Sequence, residues 1–352
     1  MSIKLQIVKE SHSVRDAMKL ASKHGKKSLV VVNDSEKYIG ILSDGDIRRF
    51  ILSGGNLDSK VIDACNKNSF FVYEKKYKKE DIKDIFMKEE FDLIAVLDKN
   101  KKVVNLIEFR DVFDTSKKRK KIDLPIVIMA GGKGTRLAPF TDVLPKPLIP
   151  IGDKTIIERI IDTFVEFGGN EFFLSINFKS KIIKAFFEEL NPKYSLKYIL
   201  EDKPLGTAGS LSLLKKNKFN NIIVCNCDVL FQIDCTALIE QHISSKSDIT
   251  LVASTKEVLV PYGNCKLNKD GTLKEIKEKP KFDFLINAGL YVLNKKALNL
   301  IPENQYMDIT TLITHLLKKN KKVSIFPINE EQWVDIGQWQ EYRSAVQKLT
   351  DE

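Results

Sequence analysis

A glycine-rich stretch near the middle of the chain has the residue types that bind phosphate. It reads MAGGKGTR over residues 129–136, and Lys146, between two prolines, follows Arg136 by ten residues. Small residues expose backbone N–H groups that can surround phosphate oxygens. A guanidinium fork suits a terminal phosphate, and an ammonium group on a backbone stiffened by prolines suits the phosphorus that reacts. A glycine-rich turn alone is more often an ordinary loop. The prediction of a phosphate site therefore depends on the ordered combination of GGKGTR with the later lysine between prolines.

Two common phosphate-binding motifs do not describe this loop. The Walker loop needs four residues between its first glycine and Gly-Lys-Ser/Thr, and the dinucleotide fingerprint needs a third glycine where this chain has Leu137. The residues themselves predict a loop whose backbone N–H groups surround phosphate oxygens, formed by Ala130, Gly131, Gly132, Gly134 and Thr135.

The elements around this loop alternate between strands and helices. Apolar runs predict strands over residues 125–130, 171–177, 198–201 and 222–228, and helices are predicted over 156–164, 180–190 and 207–215. Such alternation is typical of a Rossmann-like α/β fold, with a mostly parallel sheet and helices on both faces. Ligands bind beyond the carboxyl ends of the strands in this architecture. The glycine-rich loop, Glu201 and Asp228 all fall at such ends.

The net charge of +10 raises the question of a nucleic-acid partner. Residues 1–123 carry 27 Lys/Arg and 20 Asp/Glu, and five positive charges form one run over residues 117–121. A short basic run of this kind is more often a solvated linker than a nucleic-acid-binding arm. Because no aromatic residues are interleaved and no recognition motif is present, no nucleic-acid partner is expected.

Neither a secreted nor a membrane protein is expected. The stretch MSIKLQIVKESHS lacks the apolar core and cleavage site of a signal peptide, and no apolar run approaches the ~18 residues that span a bilayer. The five cysteines have neither zinc nor redox spacing. With 43% hydrophobic and 30% charged residues, the 352-residue chain is predicted to be a cytoplasmic globular protein with two domains.

The first half of the chain contains a weak internal repeat of about 65 residues. Helix, strand, turn, strand and helix patterns occur twice in the same order, and the alignment pairs Asp46 with Asp111. This half resembles a tandem pair of cystathionine-β-synthase (CBS) domains over residues 1–115, divided at about residue 60. Residues 116–123 are then the basic linker between the two halves.

The CBS resemblance implies an adenosine-nucleotide site in the first copy. The family's motif is a glycine, a Ser or Thr, and an Asp, and the first copy supplies Gly40, Ser43 and Asp46. The second copy has Asn105 and Glu108 at the first two positions and retains only the aspartate. A purely structural or dimer-forming module is the alternative. A homo-oligomer is expected, because paired CBS modules commonly dimerise.

The second half resembles the sugar-1-phosphate nucleotidylyltransferases over about residues 124–345, so residues 124–352 are predicted to form a nucleotidyltransferase domain. Several independent motifs occur in the family's order, which makes the resemblance specific. They are GGKGTR with PKP (131–136, 145–147), PLGTAG (204–209), NCD (226–228), YGNCKL (262–267), EKP (278–280), NAGLYVL (287–293) and WVDIG (333–337). With the CBS pair, the chain is most similar to guanylyltransferases of bacterial legionaminic acid synthesis, which use glucosamine 1-phosphate.

The resemblance implies transfer of GMP from GTP to a hexose 1-phosphate, with release of pyrophosphate. A sugar 1-phosphate is largely a dianion at pH 7 and needs no general base, so catalysis requires alignment and charge neutralisation. Arg136 and Lys146 are the implied catalytic cations, and Asp228 and Asp335 match the family's two Mg²⁺ carboxylates. A lone Asp after a strand is usually a helix cap, but two from separate motifs favour a metal site.

Further substrate contacts are implied by position within the motifs. Glu278 corresponds to a residue that accepts hydrogen bonds from sugar hydroxyls, and Lys279 to one that binds the sugar phosphate. An ordinary solvated charge pair is the alternative for these two. The other implied contacts with the nucleotide are Ala130, Gly131, Gly132, Gly134, Thr135, Gly206 and Thr207, and those with the sugar are Gly263, Asn287 and Gly289.

Glu201 is predicted to select guanine. Relatives that transfer thymidylate or uridylate tend to have glutamine at this position, three residues before Pro204. An ionised carboxylate only accepts hydrogen bonds, and guanine presents adjacent N1–H and N2–H donors that it can accept together. Uracil and thymine flank their one N–H group with carbonyl oxygens, which a carboxylate would repel. The alternative is that Glu201 points to solvent at the end of its strand.

Other functions remain open from the sequence. Mannose 1-phosphate with GTP, and glucose 1-phosphate with UTP or dTTP, are alternative substrate pairs. Two alternatives from other classes are a catalytically inactive CBS-type nucleotide sensor and a scaffold of a surface-glycan pathway. The intact set of Arg136, Lys146, Asp228 and Asp335 argues against the inactive sensor. Some relatives carry a hexapeptide-repeat acyltransferase tail, an activity not expected in a chain that ends at Glu352.

Overall fold

The computed structural model describes residues 6–74, 76–77, 81–82, 85–86, 92–108 and 121–350. The chain forms two compact units, Met1–Lys118 and Arg119–Glu352. The division falls inside the segment 116–123, which the sequence predicts as a linker. Within the described ranges, no helix is both long enough and apolar enough to cross a membrane.

The N-terminal unit builds the same three-stranded sheet twice. In each sheet the first strand runs parallel to the second, and the second runs antiparallel to the third. This repetition corresponds to the repeat in the sequence, although Asp111 lies outside the described residues. The strands with described bounds are β1 (Ile7–Lys9), β2 (Ser28–Val32), β3 (Tyr38–Ser43), β4 (Phe71–Tyr73), β5 (Leu93–Leu97) and β6 (Val103–Glu108), and the helices with described bounds are α1 (Val14–Lys23), α2 (Asp44–Leu52) and α3 (Val61–Ala64).

The C-terminal unit is built on a seven-stranded sheet. Its strands, in spatial order, are β11 (Ser195–Leu200), β10 (Glu171–Ile176), β7 (Ile126–Met129), β12 (Asn221–Asn226), β17 (Lys281–Asn294), β14 (Ile249–Leu259) and β18 (Val323–Ile328). Strand β17 is antiparallel to both of its neighbours, and the remaining neighbours are parallel. The mostly parallel sheet predicted from the alternating pattern is therefore confirmed.

Apolar cores lie on both faces of this sheet. One core includes Ile160 of a helix and Phe172 of β10, and the other includes Leu312 of a helix and Phe173 of β10. Successive side chains of a strand point to opposite faces, so the adjacent phenylalanines contribute to different cores. The helices are α4 (Phe140–Val143), α5 (Ile156–Glu166), α6 (Ser180–Leu190), α7 (Gly206–Gly209), α8 (Cys235–Ser244), α9 (Lys295–Asn299), α10 (Ile309–Lys318) and α11 (Trp339–Thr350).

The helix predicted over residues 207–215 differs in the structure. Helix α7 ends at Gly209, and 3₁₀ turns continue over Ser210–Leu214. The carbonyl oxygen of Met307 accepts hydrogen bonds from the N–H groups of Ala208 and Gly209 at 2.9 and 3.0 Å. This segment therefore bonds to a distant part of the chain, and the regular α-helix does not continue.

Three two-stranded sheets lie outside the central sheet, and two of them carry sequence motifs. The first joins the segment after NCD to the WVD of WVDIG, and the second carries YGNCKL and leads into EKP. They pair β13 (Val229–Phe231) with β19 (Trp333–Asp335), β15 (Asn264–Leu267) with β16 (Leu273–Lys277), and β8 (Pro150–Ile151) with β9 (Lys154–Thr155).

Candidate active site

The glycine-rich loop packs directly against the segment that carries Lys146. Gly134 has a φ of 67°, and a Cβ placed on it would lie 2.9 Å from both Lys146 Cβ and Thr141 Cγ2. The Thr141 hydroxyl donates a hydrogen bond to the Gly134 carbonyl oxygen at 3.1 Å. Only glycine permits both this left-handed backbone and this close approach. The predicted loop and the predicted lysine thus form one site.

Lys146 is buried and paired with a carboxylate. Its ammonium nitrogen lies 2.7 Å from Asp228 Oδ2, and its side chain is 8% exposed. Arg136 Nη2 lies 3.8 Å from the same oxygen, with a side chain that is 62% exposed. A buried ammonium group needs a charged partner nearby, and Asp228 provides it. The structure therefore brings together three of the four predicted catalytic residues, with Arg136 open to solvent.

Asp335 is brought next to Asp228 by the pairing of two short strands. In the sheet of β13 and β19, Val229 lies opposite Asp335, and the Ile336 N–H group donates to the Asp228 carbonyl oxygen at 2.8 Å. The Gly337 N–H group donates to Asp335 Oδ1 at 2.7 Å, which fixes the orientation of that carboxylate. Two motifs separated by about a hundred residues thus place their aspartates side by side.

Gly337 leaves a small space among the charged groups. A Cβ placed on it would lie 2.8 Å from Asp335 Oδ1, 3.2 Å from Asp228 Oδ2 and 3.4 Å from Arg136 Nη2. Any side chain at this position would fill the space where two carboxylates and a guanidinium group converge. The WVDIG motif therefore contributes a glycine as well as an aspartate, and the sequence interpretation missed that role.

This arrangement fits the predicted Mg²⁺. Two adjacent carboxylates provide hard oxygen ligands, and Mg²⁺ in phosphate-transfer sites is commonly bound by one or two carboxylates together with substrate phosphates. Among the described residues no group of three or more His, Cys, Asp and Glu is placed to hold a metal ion by itself. A site with two protein carboxylates would thus depend on substrate oxygens to complete it.

The carboxylate of Glu201 is hydrogen-bonded within the protein through both of its oxygens. Its Oε1 accepts a hydrogen bond from the Ser175 hydroxyl at 2.7 Å, and its Oε2 accepts one from the Leu205 N–H group at 2.9 Å. A Cβ placed on Gly131 would lie 2.9 Å from Oε1. The alternative of a solvated side chain is therefore wrong, and the carboxylate lies against the glycine-rich loop.

Gly131 and Gly132 differ in what surrounds them. A Cβ on Gly131 would press on the carboxylate of Glu201, whereas a Cβ on Gly132 would meet no atom of the described residues within 4 Å. Both glycines have φ outside the left-handed region. The packing of the protein thus gives a reason for glycine at position 131 and none at position 132, where close approach of a ligand would supply one.

Gly132→Ala should leave thermal stability unchanged but weaken GTP binding by about tenfold or more, roughly 1.4 kcal/mol. The added methyl group has free space in the protein and would occupy the position that we expect phosphate to approach. Stability would be followed by thermal unfolding, and affinity by displacement of a fluorescent GTP analogue. Gly131→Ala is the matched comparison, because its methyl group must displace the Glu201 carboxylate. Unaltered GTP affinity in Gly132→Ala would exclude the loop backbone from phosphate binding.

Thr207 and Gly206, both predicted to contact nucleotide, pack against a second segment of the chain. The Thr207 hydroxyl accepts a hydrogen bond from the Ile309 N–H group at 2.9 Å and lies 3.5 Å from Asp308 Oδ1. A Cβ on Gly206 would lie 2.7 Å from the Met307 carbonyl oxygen. PLGTAG is therefore held by the turn before α10, a role that its place in the sequence did not reveal.

The predicted sugar-side residues fall into two groups in the structure. A Cβ on Gly263 would lie 3.0 Å from Glu278 Oε2, so the sheet of β15 and β16 brings these two together, with Lys279 next in the chain. In the second group, Asn287 Nδ2 donates to the Tyr291 hydroxyl at 2.7 Å, and the Gly289 N–H group donates to Asn287 Oδ1 at 3.1 Å.

Gly289 also reveals a residue that the sequence interpretation left without a role. A Cβ on Gly289 would lie 3.0 Å from Nδ2 of Asn226, the first residue of NCD. The other amide atom, Oδ1, is buried without a hydrogen-bond partner among the described residues. Asn226 thus packs between Gly289 and the strand end that carries Asp228, with a buried acceptor that no described group satisfies.

Sequence comparison identifies the family of this unit. A family model described as nucleotidyl transferase matches residues 126–352. The chain belongs to the nucleotidyl transferase family. A CBS domain model matches residues 1–53, so this nucleotidyl transferase also carries an N-terminal CBS domain.

Several known proteins are similar to this nucleotidyl transferase. A mannose-1-phosphate guanyltransferase of Pichia angusta is 32% identical to this chain. The match covers 62% of this chain and 62% of the length of that protein. A D-glycero-alpha-D-manno-heptose 1-phosphate guanylyltransferase of Aneurinibacillus thermoaerophilus is 29% identical over 63% of this chain and 97% of its own. The crystal structure of HddC from Yersinia pseudotuberculosis superposes with a TM-score of 0.52 at 26% identity, covering 64% of this chain and 99% of HddC. HddC has also been crystallised in a complex with GMP-PN.

In the CBS domain of this nucleotidyl transferase, the two predicted nucleotide-binding residues cap a helix. The Asp46 N–H group donates to the Ser43 hydroxyl oxygen at 3.2 Å, and the Ser43 N–H group donates to Asp46 Oδ2 at 2.8 Å. This is a capping box at the start of α2, and Arg49 Nη2 pairs with Asp46 Oδ1 at 2.6 Å. The spacing Ser-x-x-Asp before an apolar run is itself a sequence signal for such a cap.

Proposed function

We propose that this nucleotidyl transferase is a sugar-1-phosphate guanylyltransferase, which forms a GDP-sugar and pyrophosphate from GTP and a hexose 1-phosphate. The observation that carries the proposal is the convergence of Lys146, Asp228, Asp335 and Arg136 beside a glycine-rich loop. The relatives from Pichia angusta and Aneurinibacillus thermoaerophilus, which are named as a guanyltransferase and a guanylyltransferase, support it.

The proposed reaction is an in-line displacement at the α-phosphorus of GTP. A phosphate oxygen of the sugar 1-phosphate forms a bond to that phosphorus, and the bond to the bridging oxygen of pyrophosphate breaks. Arg136, which is largely exposed, would bind the leaving phosphates, and Lys146 would neutralise charge on the oxygens of the reacting phosphorus. Neither step requires a proton acceptor, because the attacking phosphate is already ionised at pH 7.

Asp228 and Asp335 would hold Mg²⁺ in this mechanism. When bound, the ion would supply positive charge to the triphosphate oxygens during the displacement. Lys146 is already hydrogen-bonded to Asp228 in the protein, so binding of substrate would have to share or release that contact. Asp335 Oδ1 is held by Gly337 and therefore keeps its orientation while the ligands of the site change.

The hydrogen bonds of Glu201 support guanine as the base. Each carboxylate oxygen has two acceptor sites and uses one on a partner within the chain, so one acceptor on each oxygen is left for a ligand. The N1–H and N2–H groups of guanine match two neighbouring acceptors. Uracil and thymine offer one N–H group between two carbonyl oxygens, and would leave one acceptor facing a carbonyl.

For the sugar, we propose glucosamine 1-phosphate, with mannose 1-phosphate as the second candidate. The first comes from the resemblance of the whole CBS-nucleotidyltransferase arrangement to enzymes of legionaminic acid synthesis. The second is favoured by the name of the Pichia angusta relative, a mannose-1-phosphate guanyltransferase. Uridylyl or thymidylyl transfer to glucose 1-phosphate ranks below both, because of the glutamate at position 201. A cytoplasmic location and a homo-oligomer remain predictions from the sequence.

One experiment tests the proposal directly. The full chain would be mixed with Mg²⁺, one of GTP, UTP, dTTP and ATP, and one of several hexose 1-phosphates, and pyrophosphate release would be measured for every pair. We expect GTP with glucosamine 1-phosphate to give the highest kcat/KM. A highest value with mannose 1-phosphate would favour the second sugar, and a highest value with UTP or dTTP would reject guanylyl transfer. No release from any pair would support the inactive sensor or the scaffold.

We further propose that Ser43 and Asp46 bind an adenosine nucleotide, and a matched pair of variants tests this. Asp16 forms the same kind of capping box with Ser13 at the start of α1, so Asp16→Ala and Asp46→Ala both remove a cap worth about 1 kcal/mol. We expect AMP or ATP to raise the thermal stability of the wild type and of Asp16→Ala but not of Asp46→Ala. If neither nucleotide stabilises the wild type, the CBS domain is structural.

A further inference from the structure

We propose that Ser175 is a specificity-determining residue for the nucleotide base, acting by positioning the carboxylate of Glu201. This inference rests on the proposed function, in which Glu201 contacts guanine. Ser175 has no exposed surface and lies near the carboxyl end of β10, between Met129 of β7 and Ile199 of β11 in the register of the sheet. Its hydroxyl donates to Glu201 Oε1 at 2.7 Å.

Glu201 is fixed by contacts on both sides of its carboxylate and on its backbone. Leu205 N–H donates to Oε2 at 2.9 Å, and Asn177 Nδ2 donates to the Glu201 carbonyl oxygen at 2.6 Å. The backbone donor at Leu205 cannot reverse its role, so Oε2 must remain an acceptor. Ser175 therefore determines what the other side-chain atom of residue 201 presents to a ligand.

The hydroxyl of Ser175 favours an acceptor at that position. It is buried, and Glu201 Oε1 accepts its proton in the described structure. A glutamine at position 201 would direct its NH₂ group at Ser175, because its oxygen is required by Leu205, and the serine proton would lose its acceptor. Ser175 and the Leu205 N–H group thus favour glutamate over glutamine at position 201. Each oxygen of that carboxylate then keeps one acceptor for a ligand, and guanine requires two such acceptors.

The absence of a side chain at Gly131 allows the Glu201 carboxylate to lie against the glycine-rich loop. Glu201 Oε1 occupies the space that a Cβ at Gly131 would fill, at 2.9 Å from the ideal Cβ position. Without the Ser175 hydrogen bond, the Leu205 N–H group would still hold Oε2, but Oε1 would be free to move away from the loop. Loss of the hydroxyl should therefore weaken recognition of the base while leaving Lys146, Asp228 and Asp335 in place.

The test is the GTP-over-UTP ratio of kcat/KM in four forms of the full chain: wild type, Ser175→Ala, Glu201→Gln and the double variant. We expect Ser175→Ala to lower the ratio by about tenfold through a raised KM for GTP, with kcat unchanged. We also expect it to have no further effect when Glu201 is already glutamine, because Ser175 acts through Glu201. An unchanged ratio in Ser175→Ala, or an equal fall in both backgrounds, would overturn the inference.

Two controls separate this positioning role from general destabilisation. Ser212, in the 3₁₀ turns after α7, is also buried and donates to the Gly209 carbonyl oxygen at 2.7 Å. Ser212→Ala therefore removes a similar hydroxyl that does not contact Glu201, and it should leave the GTP-over-UTP ratio unchanged. If Ser175→Ala lowers thermal stability, Ser175→Cys keeps nearly the same volume with a much weaker donor and should lower the ratio in the same way. A wild-type ratio in Ser175→Cys would then reject the inference.

Failure of the proposed function would be distinguishable from failure of this inference. If the wild type releases no pyrophosphate from any nucleotide, the proposed function fails, and displacement of a fluorescent GTP analogue by GTP or UTP still gives the ratio as affinities. If the wild type prefers GTP and Ser175→Ala shows the same preference, only the role of Ser175 is rejected.

Discussion

Lys146→Met should lower kcat by about 100- to 1,000-fold while changing the affinity for GTP far less. Methionine keeps an apolar stem of similar length, so the packing against Gly134 can remain, and the variant removes one positive charge from the reacting phosphate. The measurement is a full kinetic comparison with GTP and the preferred sugar 1-phosphate. A variant whose only defect is a raised KM for GTP would place Lys146 in ground-state binding instead.

The stability of Lys146→Met is also predictable from the structure. The variant leaves Asp228 without its nearest cation, but the side chain of Asp228 is 21% exposed and Arg136 Nη2 lies 3.8 Å from it. Breaking an ion pair is costly when the charge that remains is buried, and Asp228 keeps contact with solvent and with a second cation. We therefore expect a melting temperature close to that of the wild type, which would show that the loss of turnover is chemical.

Asp335→Asn should lower kcat at saturating Mg²⁺ by about a hundredfold, roughly 3 kcal/mol of transition-state stabilisation, and leave the fold intact. The asparagine carbonyl oxygen can accept the hydrogen bond that Gly337 donates to Asp335 Oδ1, so the turn is preserved while the negative charge is lost. Unchanged turnover in this variant would remove Asp335 from the metal site. Titration of Mg²⁺ followed by intrinsic fluorescence would measure the same loss without turnover.

Asp228→Asn should show the same loss of turnover together with a loss of stability. Lys146, whose side chain is 8% exposed, would lose its only partner of opposite charge within hydrogen-bond distance among the described residues. Breaking a buried pair on one side costs about 3–5 kcal/mol. Adding Lys146→Met to Asp228→Asn should restore most of the stability and none of the activity. Equal stability of Asp228→Asn and Asp335→Asn would contradict the structural role of the Lys146–Asp228 pair.

The amino-acid sequence by itself determined several strands and helices of the larger unit and the positions of its chemical groups along the chain. The strands at residues 171–176 and 221–226 and the helix at 180–190 were predicted to within a residue or two. These features are local, because the periods of strands and helices and the preferences of glycine and proline depend on neighbouring residues. The carboxyl-end rule then placed the glycine-rich loop, Glu201 and Asp228 on one edge of the sheet.

Only the tertiary structure decided which of these groups touch. The pair of Lys146 with Asp228 joins residues 82 positions apart, and the contact of Ser175 with Glu201 joins residues 26 positions apart. Such contacts depend on strand order and register, which the local pattern of any one segment does not specify. For the same reason, the sequence left two alternatives for the side chain of Glu201. A residue at a strand end can either point to solvent or form hydrogen bonds within the protein, and only the tertiary structure distinguishes the two.

Ser43 and Asp46 show that one short sequence motif can indicate two different roles. Ser43 and Asp46 were assigned to a nucleotide by their family motif, yet the same Ser-x-x-Asp spacing is the local signature of a helix cap, which the structure contains. A short motif can satisfy both roles, since a side chain that caps a helix at a strand–helix turn also faces the carboxyl end of the strand. The sequence determined that these residues lie at such a turn. The tertiary structure determined that their hydrogen bonds are made within the chain, because the backbone of α2 supplies one donor and Arg49 supplies another.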